Sequence, residues 1–298
     1  MKNYKIADFI IEYDGDSDYM NKRFDDFACE KAEKPDVTLK IVEKKPFFPR
    51  FLWDKGTKMG IFRVYYDRDC IYQYFPNQHH SGVRLVEIRN DFHDFTYYLC
   101  DRKDSSYVRH YGLEEYIGRM QGVVFNLFQE SFFNMLLFEN AMSIHSASVI
   151  YKEKALIFSA SSGTGKSTQA EKWQRLLGCE VLDGDVTACR EIDGKYYVYG
   201  LPWCGSSGMY LNRKVEVGAF VFLKQAKENT VRVPSDMEKI GYVFSSTFSE
   251  SWNDLMNRKR SEMTGKIIEN TDIYEFSCNL EDESVEVLRR KLEQSQNY

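Results

Sequence analysis

Gly163-Thr164-Gly165-Lys166-Ser167-Thr168 is the stretch of this chain whose residue types and spacing are most specific for chemistry. Glycines at 163 and 165 let backbone N–H groups approach a ligand with no side chain in the way. Lys166 adds a point charge suited to β- and γ-phosphates, and the Ser167 hydroxyl suits Mg2+. The apolar run Ala155-Leu156-Ile157-Phe158 precedes the segment, and a helix-patterned stretch to Leu177 follows it. Strand, glycine-bearing loop, Lys-Ser and helix is the order a phosphate-binding loop requires, since the helix N-terminus adds partial positive charge. The implied ligand is a nucleoside triphosphate, held by Ser162 to Thr168. One position departs from the pattern G-x-x-x-x-G-K-[ST]: the first glycine is Ala160, which marks a variant loop.

Carboxylates come next. Asp183-Gly184-Asp185 ends the first short strand after the loop's helix. In a βαβ arrangement that strand end lies at the C-terminal edge of the sheet, near the phosphates. A carboxylate there can hold Mg2+ or orient an attacking hydroxyl. Asp185 is the first candidate and Asp183 the second, set against a plain Asp-Gly turn. His145 is a candidate proton carrier or acceptor-site group, and a buried strand-capping histidine is the competing reading. Cys204 reads as a small loop residue.

Two hairpins bring these groups together. Residues 147–151 and 155–159 flank a polar connection, Lys152-Glu153-Lys154. A hairpin about Glu153 sets His145 opposite Ser161, inside the loop. Asp193-Gly194 is a preferred two-residue turn between 187–192 and 196–199, and counting outward sets Asp185 near Pro202. The loop Leu201-Pro202-Trp203-Cys204-Gly205 then returns beside the acidic segment.

Around this centre the pattern changes along the chain. Residues 6–13, 37–42, 59–65, 70–74, 83–88 and 95–100 are short β-branched or aromatic runs. Turn signals separate them: Asp14-Gly15-Asp16, Pro46 to Pro49, Asp67-Arg68-Asp69 and Pro76-Asn77. His79-His80 reads as surface loop. From Leu113 to Phe128 apolar residues recur at helical spacing, and 132–138 is a second helical piece. The expected organisation is a strand-rich N-terminal domain (1–111), a helical connector (112–142) and a nucleotide-binding domain (143–298). In the last, strands are expected at 147–151, 155–159, 180–182, 187–192, 196–199, 218–223 and 272–278. Helices are expected at 166–177, 238–246, 252–269 and 284–296, the first ending at Gly178, a natural C-cap.

Bulk properties narrow the function classes. The chain has 298 residues, 43% hydrophobic and 29% charged, the balance of a soluble globular protein. A net charge of −5 gives no bulk attraction to nucleic acid or anionic membrane. Arg258-Lys259-Arg260 is diluted by Asp254, Glu262 and Glu269 and reads as a solvated helix face. The N-terminal apolar run is broken by Asp8, so no signal peptide is expected, and no run reaches membrane-span length. Seven scattered cysteines with no C-x-x-C spacing read as reduced thiols of a cytoplasmic protein. N-K-x-D and L-S-G-G-Q motifs are absent, which disfavours a GTPase or a transporter ATPase.

Ser162-Gly163-Thr164-Gly165-Lys166-Ser167 resembles the S-G-x-G-K-[ST] loop of HPr kinase/phosphorylase and phosphoenolpyruvate carboxykinase. His145 with Ala147-Ser148-Val149 resembles the histidine-led strand before that loop in HPr kinase-like proteins. Val181-Leu182-Asp183-Gly184-Asp185 resembles their strand ending in an acidic pair, with Gly184 in place of one aspartate. Tyr199 to Gly205 resembles a loop of HPr kinase-like proteins found beside peptide-modification genes. The match covers about 143–205. It implies an α/β P-loop kinase domain of this type behind a strand-rich α+β N-terminal domain, which would recognise the acceptor or support assembly. It also implies ATP and Mg2+ as cofactors, with Lys166 on phosphate, Ser167 on Mg2+, Asp185 as catalytic acid/base or metal carboxylate, and His145 in support. The expected activity is transfer of the γ-phosphoryl group to a serine-type hydroxyl on a peptide, a small protein or a small molecule. The alternative is a non-catalytic nucleotide-binding regulatory or scaffold protein. Homo-oligomerisation stays open.

Overall fold

The computed structural model describes residues 1–15, 17–42, 55–60, 62–75, 83–99, 113–205, 207–248 and 253–295. Pro46, Pro49, Pro76, Asn77, the His79-His80 pair and Cys100 lie outside these residues. The chain is mixed α/β, with two eight-stranded sheets among the described residues, and it divides into two units, Met1–Met135 and Leu136–Tyr298. The helix expected within the connector falls largely in the first unit. Among the described residues no helix is long and apolar enough to cross a membrane.

In the first unit, alternating burial builds the sheet. Phe9, Ile11 and Tyr13 of β2 (Phe9–Asp14) face inward, as do Val37 and Leu39 of β3 (Val37–Val42). With β1 (Lys2–Ile6), β4 (Thr57–Met59), β5 (Phe62–Tyr66), β6 (Cys70–Tyr74), β7 (Val83–Arg89) and β8 (Asp94–Leu99), they form the order β1-β2-β3-β8-β7-β6-β5-β4. Helix α1 (Asp18–Phe24) is capped by Ser17, whose hydroxyl accepts from Met20 N. Helix α2 (Leu113–Leu136) supplies Phe128 and Phe132 to an aromatic core with Phe9, Phe24 and Phe95. The buried Tyr97 hydroxyl donates to Ser131 Oγ of α2 at 2.9 Å.

Three expectations change here. Residues 6–13 are a hairpin rather than one strand, because Ala7 and Asp8 turn with φ of 52° and 66°. Residues 59–65 are likewise two strands, turned near Gly60 at φ 56°. The helical pieces 113–128 and 132–138 are one continuous helix.

The second unit contains β9 (Ala141–Tyr151), β10 (Lys154–Ser159), α3 (Lys166–Leu177), β11 (Glu180–Asp183), β12 (Val186–Ile192), β13 (Lys195–Gly200), β14 (Lys214–Gln225), β15 (Thr230–Arg232), α4 (Asp236–Ser246), α5 (Asp254–Asn270), β16 (Ile273–Cys278) and α6 (Glu283–Leu292). Strand β14 runs parallel to both β10 and β16. Strand β9 is antiparallel to β10 on one edge, and on the other to β12 and then β11 in succession. Strands β10, β11, β14 and β16 therefore all end on the same edge of the sheet. Helices α3 and α6 cover one face through Trp173, Leu288 and Leu292, packed on Val149, Phe158, Val221 and Phe276. Helices α4 and α5 pack against β9. At the C-terminus of α3, Gly178 at φ 71° caps the helix, its N–H donating to Gln174 O.

Asp193-Gly194 makes the expected two-residue turn, with φ of 51° and 77°, and the β12–β13 register runs from Ile192↔Lys195 to Thr187↔Gly200. The β9–β10 hairpin is shifted by one. Lys152 and Glu153 form the turn at φ of 46° and 62°, and Lys154 already pairs with Tyr151. Counting on from Ser159↔Ser146, His145 comes opposite Ala160 rather than Ser161.

Gly200 marks a close crossing of chains. A Cβ there would lie 2.2 Å from Leu211 O and 2.6 Å from Leu182 O. Gly200→Ala is expected to destabilise the protein by about 1–3 kcal/mol through overpacking. Equilibrium urea unfolding measures this, and an unshifted midpoint would contradict the crossing.

Candidate active site

The glycine-bearing segment leaves β10 at Ser159, whose hydroxyl donates to His145 O at 2.8 Å. Gly163 and Gly165 take φ of 79° and 115°, so both sit in the region that favours glycine. Ala160 has no positive φ, so the variant first position asks nothing of glycine. The loop is pinned internally by Thr164 N donating to Ser161 O at 3.2 Å. Helix α3 starts from Gly165 with no side-chain cap, and its first intrahelical bond runs from Gln169 N to Gly165 O at 3.0 Å. The N–H groups of its first turn are thus directed out of the helix start, as an anion site requires.

Lys166 is buried, with Nζ donating to Ala160 O at 3.2 Å. Burial lowers its pKa, and the charge of Asp185 opposes that shift. Ser161, Ser162, Gly163 and Ser167 are exposed, and Thr164 and Thr168 half-buried. From β14, Gln225 Nε2 donates to Gly163 O at 3.3 Å and Thr164 O at 3.4 Å. The carbonyl side of the loop is tied to the neighbouring parallel strand.

The acidic corner has a division of labour. Asp183 is fully buried; its Oδ1 accepts from Asp185 N at 2.9 Å and Val186 N at 3.0 Å, and its Oδ2 from Leu201 N at 2.8 Å. Burial pushes its carboxyl up to about 8, while those N–H groups pull it down. Expected as a second metal carboxylate, Asp183 has its oxygens directed at backbone. Asp185 is different: its side chain is 40% exposed, and Oδ1 lies 3.5 Å from His145 Nε2. Its backbone is fixed by Ser146 N donating to Asp185 O at 2.9 Å. The His145 ring packs on Phe248, with centroids 5.1 Å apart.

The returning loop closes this corner. Gly205, at φ 58°, lies against the Asp185 carboxylate, so close that a Cβ would be 2.5 Å from Oδ2. Gly184 lies against Ser207, where a Cβ would be 2.2 Å from Oγ. Ser207 Oγ in turn donates to Cys204 O at 2.6 Å and accepts from Met209 N at 3.2 Å. The glycine in the acidic pair is therefore set by the loop packed on it. Cys204 is buried, consistent with its reading as a small loop residue.

A cavity of about 570 Å³ runs from His145 across Ser159, Ala160 and Thr164 to the end of β14 and to α4. Its far wall holds Phe222, Lys224 and Tyr242, the two rings stacked with centroids 5.0 Å apart. This size suits a small ligand or one inserted side chain. The wall residues and Gln225 were not singled out in the sequence. They sit on ordinary strand and helix patterns, remote from the motif; the parallel β10–β14 pairing brings the β14 residues to it, and Tyr242 of α4 stacks on Phe222.

Neither a family model nor a curated protein sequence matches the chain. Among solved structures, it is similar to the Hpr(Ser) kinase/phosphatase from Coxiella burnetii, at 12% identity and a TM-score of 0.29, over 51% of this chain and 99% of that one.

Asp183 generates a prediction in pH. A folded-state value near 8 against about 4 in the unfolded chain means that the native protein keeps a proton the unfolded chain has released. Stability contributed by this group therefore falls as pH rises from about 4 to about 8. In Asp183→Asn that slope is lost, and an amide NH2 replaces one acceptor oxygen, at a cost of about 1–3 kcal/mol. Urea unfolding of both proteins across this range checks it; parallel stability curves would refute the assignment.

Proposed function

We propose that the unit Leu136–Tyr298 is a Mg2+–ATP-dependent phosphotransferase domain that moves the γ-phosphoryl group to a hydroxyl acceptor. The observation that carries this reading is that Lys166 at the uncapped start of α3 feels the charge of Asp185, which lies 3.5 Å from His145, and that His145 and the loop residues Ala160, Ser161 and Thr164 line one cavity. A nucleotide alone needs only the loop. An exposed carboxylate held beside it by a histidine is what a transfer reaction adds.

The residues fit Mg2+: Ser167 is exposed on the first turn of α3, and the accessible Asp185 carboxylate supplies hard oxygen. Bound there, the metal would offset charge on the phosphates. Lys166 and the loop N–H groups hold the transferred group, aided by Ser162, Gly163, Thr164, Gly165 and Thr168. Asp185 accepts the proton of the acceptor hydroxyl as its oxygen bonds to the γ-phosphorus. The bond from that phosphorus to the bridging oxygen breaks, and ADP leaves. His145 holds the Asp185 carboxylate in place. Asp183 fixes the corner that presents Asp185. The N-terminal unit serves acceptor recognition or assembly. The acceptor class is a serine-type hydroxyl on a peptide, a small protein or a small molecule, and the setting is cytoplasmic.

Asp185→Asn should bind ATP while lowering phosphoryl transfer by about 10²–10⁴-fold. Lys166→Ala should weaken ATP binding as well. Calorimetric titration with ATP, and radiolabel transfer from γ-labelled ATP to a panel of hydroxyl acceptors, separate these effects. Transfer unchanged in both variants would remove the site assignment. ATP binding with no acceptor labelled would support the regulatory or scaffold reading instead.

A further inference from the structure

The far wall of the cavity carries a second cation that the reaction outlined above does not use. Lys224 ends β14 beside Gln225, its side chain is 51% exposed, and it lines the cavity. Its Nζ lies 2.9 Å from Glu275 Oε2 and 5.6 Å from the centre of the Tyr242 ring. Glu275 is buried, but it does not depend on Lys224. Arg232 reaches both of its oxygens, through Nε to Oε1 at 3.0 Å and through Nη2 to Oε2, and the Tyr242 hydroxyl donates to Oε2 as well. If Lys224 swings away, Glu275 keeps a bidentate guanidinium and a phenol. The lysine is the exchangeable member of the cluster, since its head is half-exposed and the buried Glu275 keeps Arg232, which it shares with Glu238, and Tyr242 when Lys224 leaves.

The cavity itself favours an anion. Among the described residues its lining includes no Asp or Glu; it offers Lys224, His145 and the Ser161 hydroxyl, while the hydroxyls of Ser159, Tyr242 and Ser245 donate to His145 O, Glu275 Oε2 and Tyr242 O. Lys166 stands at the loop end and Lys224 on the opposite wall. We propose that Lys224 forms a second anion-binding subsite, which holds a carboxylate or phosphate carried by the hydroxyl acceptor while the γ-phosphate occupies the loop. This rests on the phosphotransferase reading, and it narrows the acceptor to a molecule or residue with an anionic group near its hydroxyl. Lys224 is a specificity residue here: it trades Glu275 for the acceptor's anion, and the stacked Tyr242–Phe222 pair forms the wall beside it.

The test uses the full chain saturated with Mg2+ and a non-hydrolysable ATP analogue, so that the loop is filled. Inorganic phosphate and acetate are titrated separately against chloride at matched ionic strength, with binding read by calorimetry and thermal shift. At least one anion should bind, at least tenfold more weakly in Lys224→Gln, and within about threefold of wild type in Lys224→Arg. Lys259→Gln, a surface lysine of α5, should match wild type. Response to acetate assigns a carboxylate-bearing acceptor, and response to phosphate alone a phosphorylated one. Binding of neither anion, or equal binding by Lys224→Gln, overturns the subsite. Should the analogue fail to bind wild type, the nucleotide reading falls. The subsite is then read in Lys166→Ala, whose loop is disabled, by the same Lys224 dependence.

Discussion

The buried carboxylate of Asp183 organises the loop-bearing edge of this sheet. It receives N–H groups from both sides of a chain corner and from the start of a loop returning from a distant hairpin. A charged or polar group taken fully out of water is tolerable only when its hydrogen bonds are made, so the three segments are tied to one point. Strand β9 carries the consequence. It pairs with β11 before the corner and with β12 after it, and Asp185 at the bend turns its own carboxylate outward. One aspartate is fixed so that its neighbour can be accessible.

The direction of the strands does the rest. Because β10, β11, β14 and β16 point the same way, their ends collect the phosphate loop, the acidic corner and the Lys224–Gln225 pair along one edge. An edge of this kind is where open α/β sheets bind ligands. Helix α3 is held to the sheet by Trp173, buried between Phe158 and Tyr151, which keeps the helix start in register with the loop. On the carbonyl side Gln225 braces the same loop. These bonds engage the carbonyl groups of Gly163 and Thr164, so they order part of the loop without using its N–H groups.

Legibility in the sequence followed local chemistry. The loop, its flanking strand and helix, and the Asp193-Gly194 hairpin were readable because glycine and turn residues announce their backbone geometry. Turns built from residues without that preference were not. Ala7-Asp8 hid a hairpin inside one apparent strand, and Lys152-Glu153 shifted the β9–β10 register by one. The same limit applied to the site. Asp185 and His145 were found through proximity to the motif, whereas Phe222, Lys224 and Gln225 join it through a parallel strand pairing, and Tyr242 through helix packing, that leave no mark in sequence. The burial of Asp183 was equally invisible: two aspartates flanking a glycine look alike until the fold buries one.

In the proposed phosphotransfer, that glycine sets how many carboxylates the site can use. HPr kinase-like proteins, which the 143–205 segment resembles, place an acidic pair where this chain has Gly184-Asp185. Here a side chain at 184 would meet Ser207, itself bonded to Cys204 O and Met209 N. The loop thus occupies the space of the missing carboxylate, and substitution at 184 alone cannot restore it. A chemistry that needs two carboxylates, one on metal and one on the acceptor proton, is reduced to what a single accessible Asp185 can do. Phosphoryl transfer tolerates this, because its loose transition state is stabilised mainly by positioning and by charge on the phosphate side. The demand then shifts to the acceptor side, where the hydroxyl must be oriented by contacts other than a second carboxylate. A cavity with a cation on its far wall supplies one such contact.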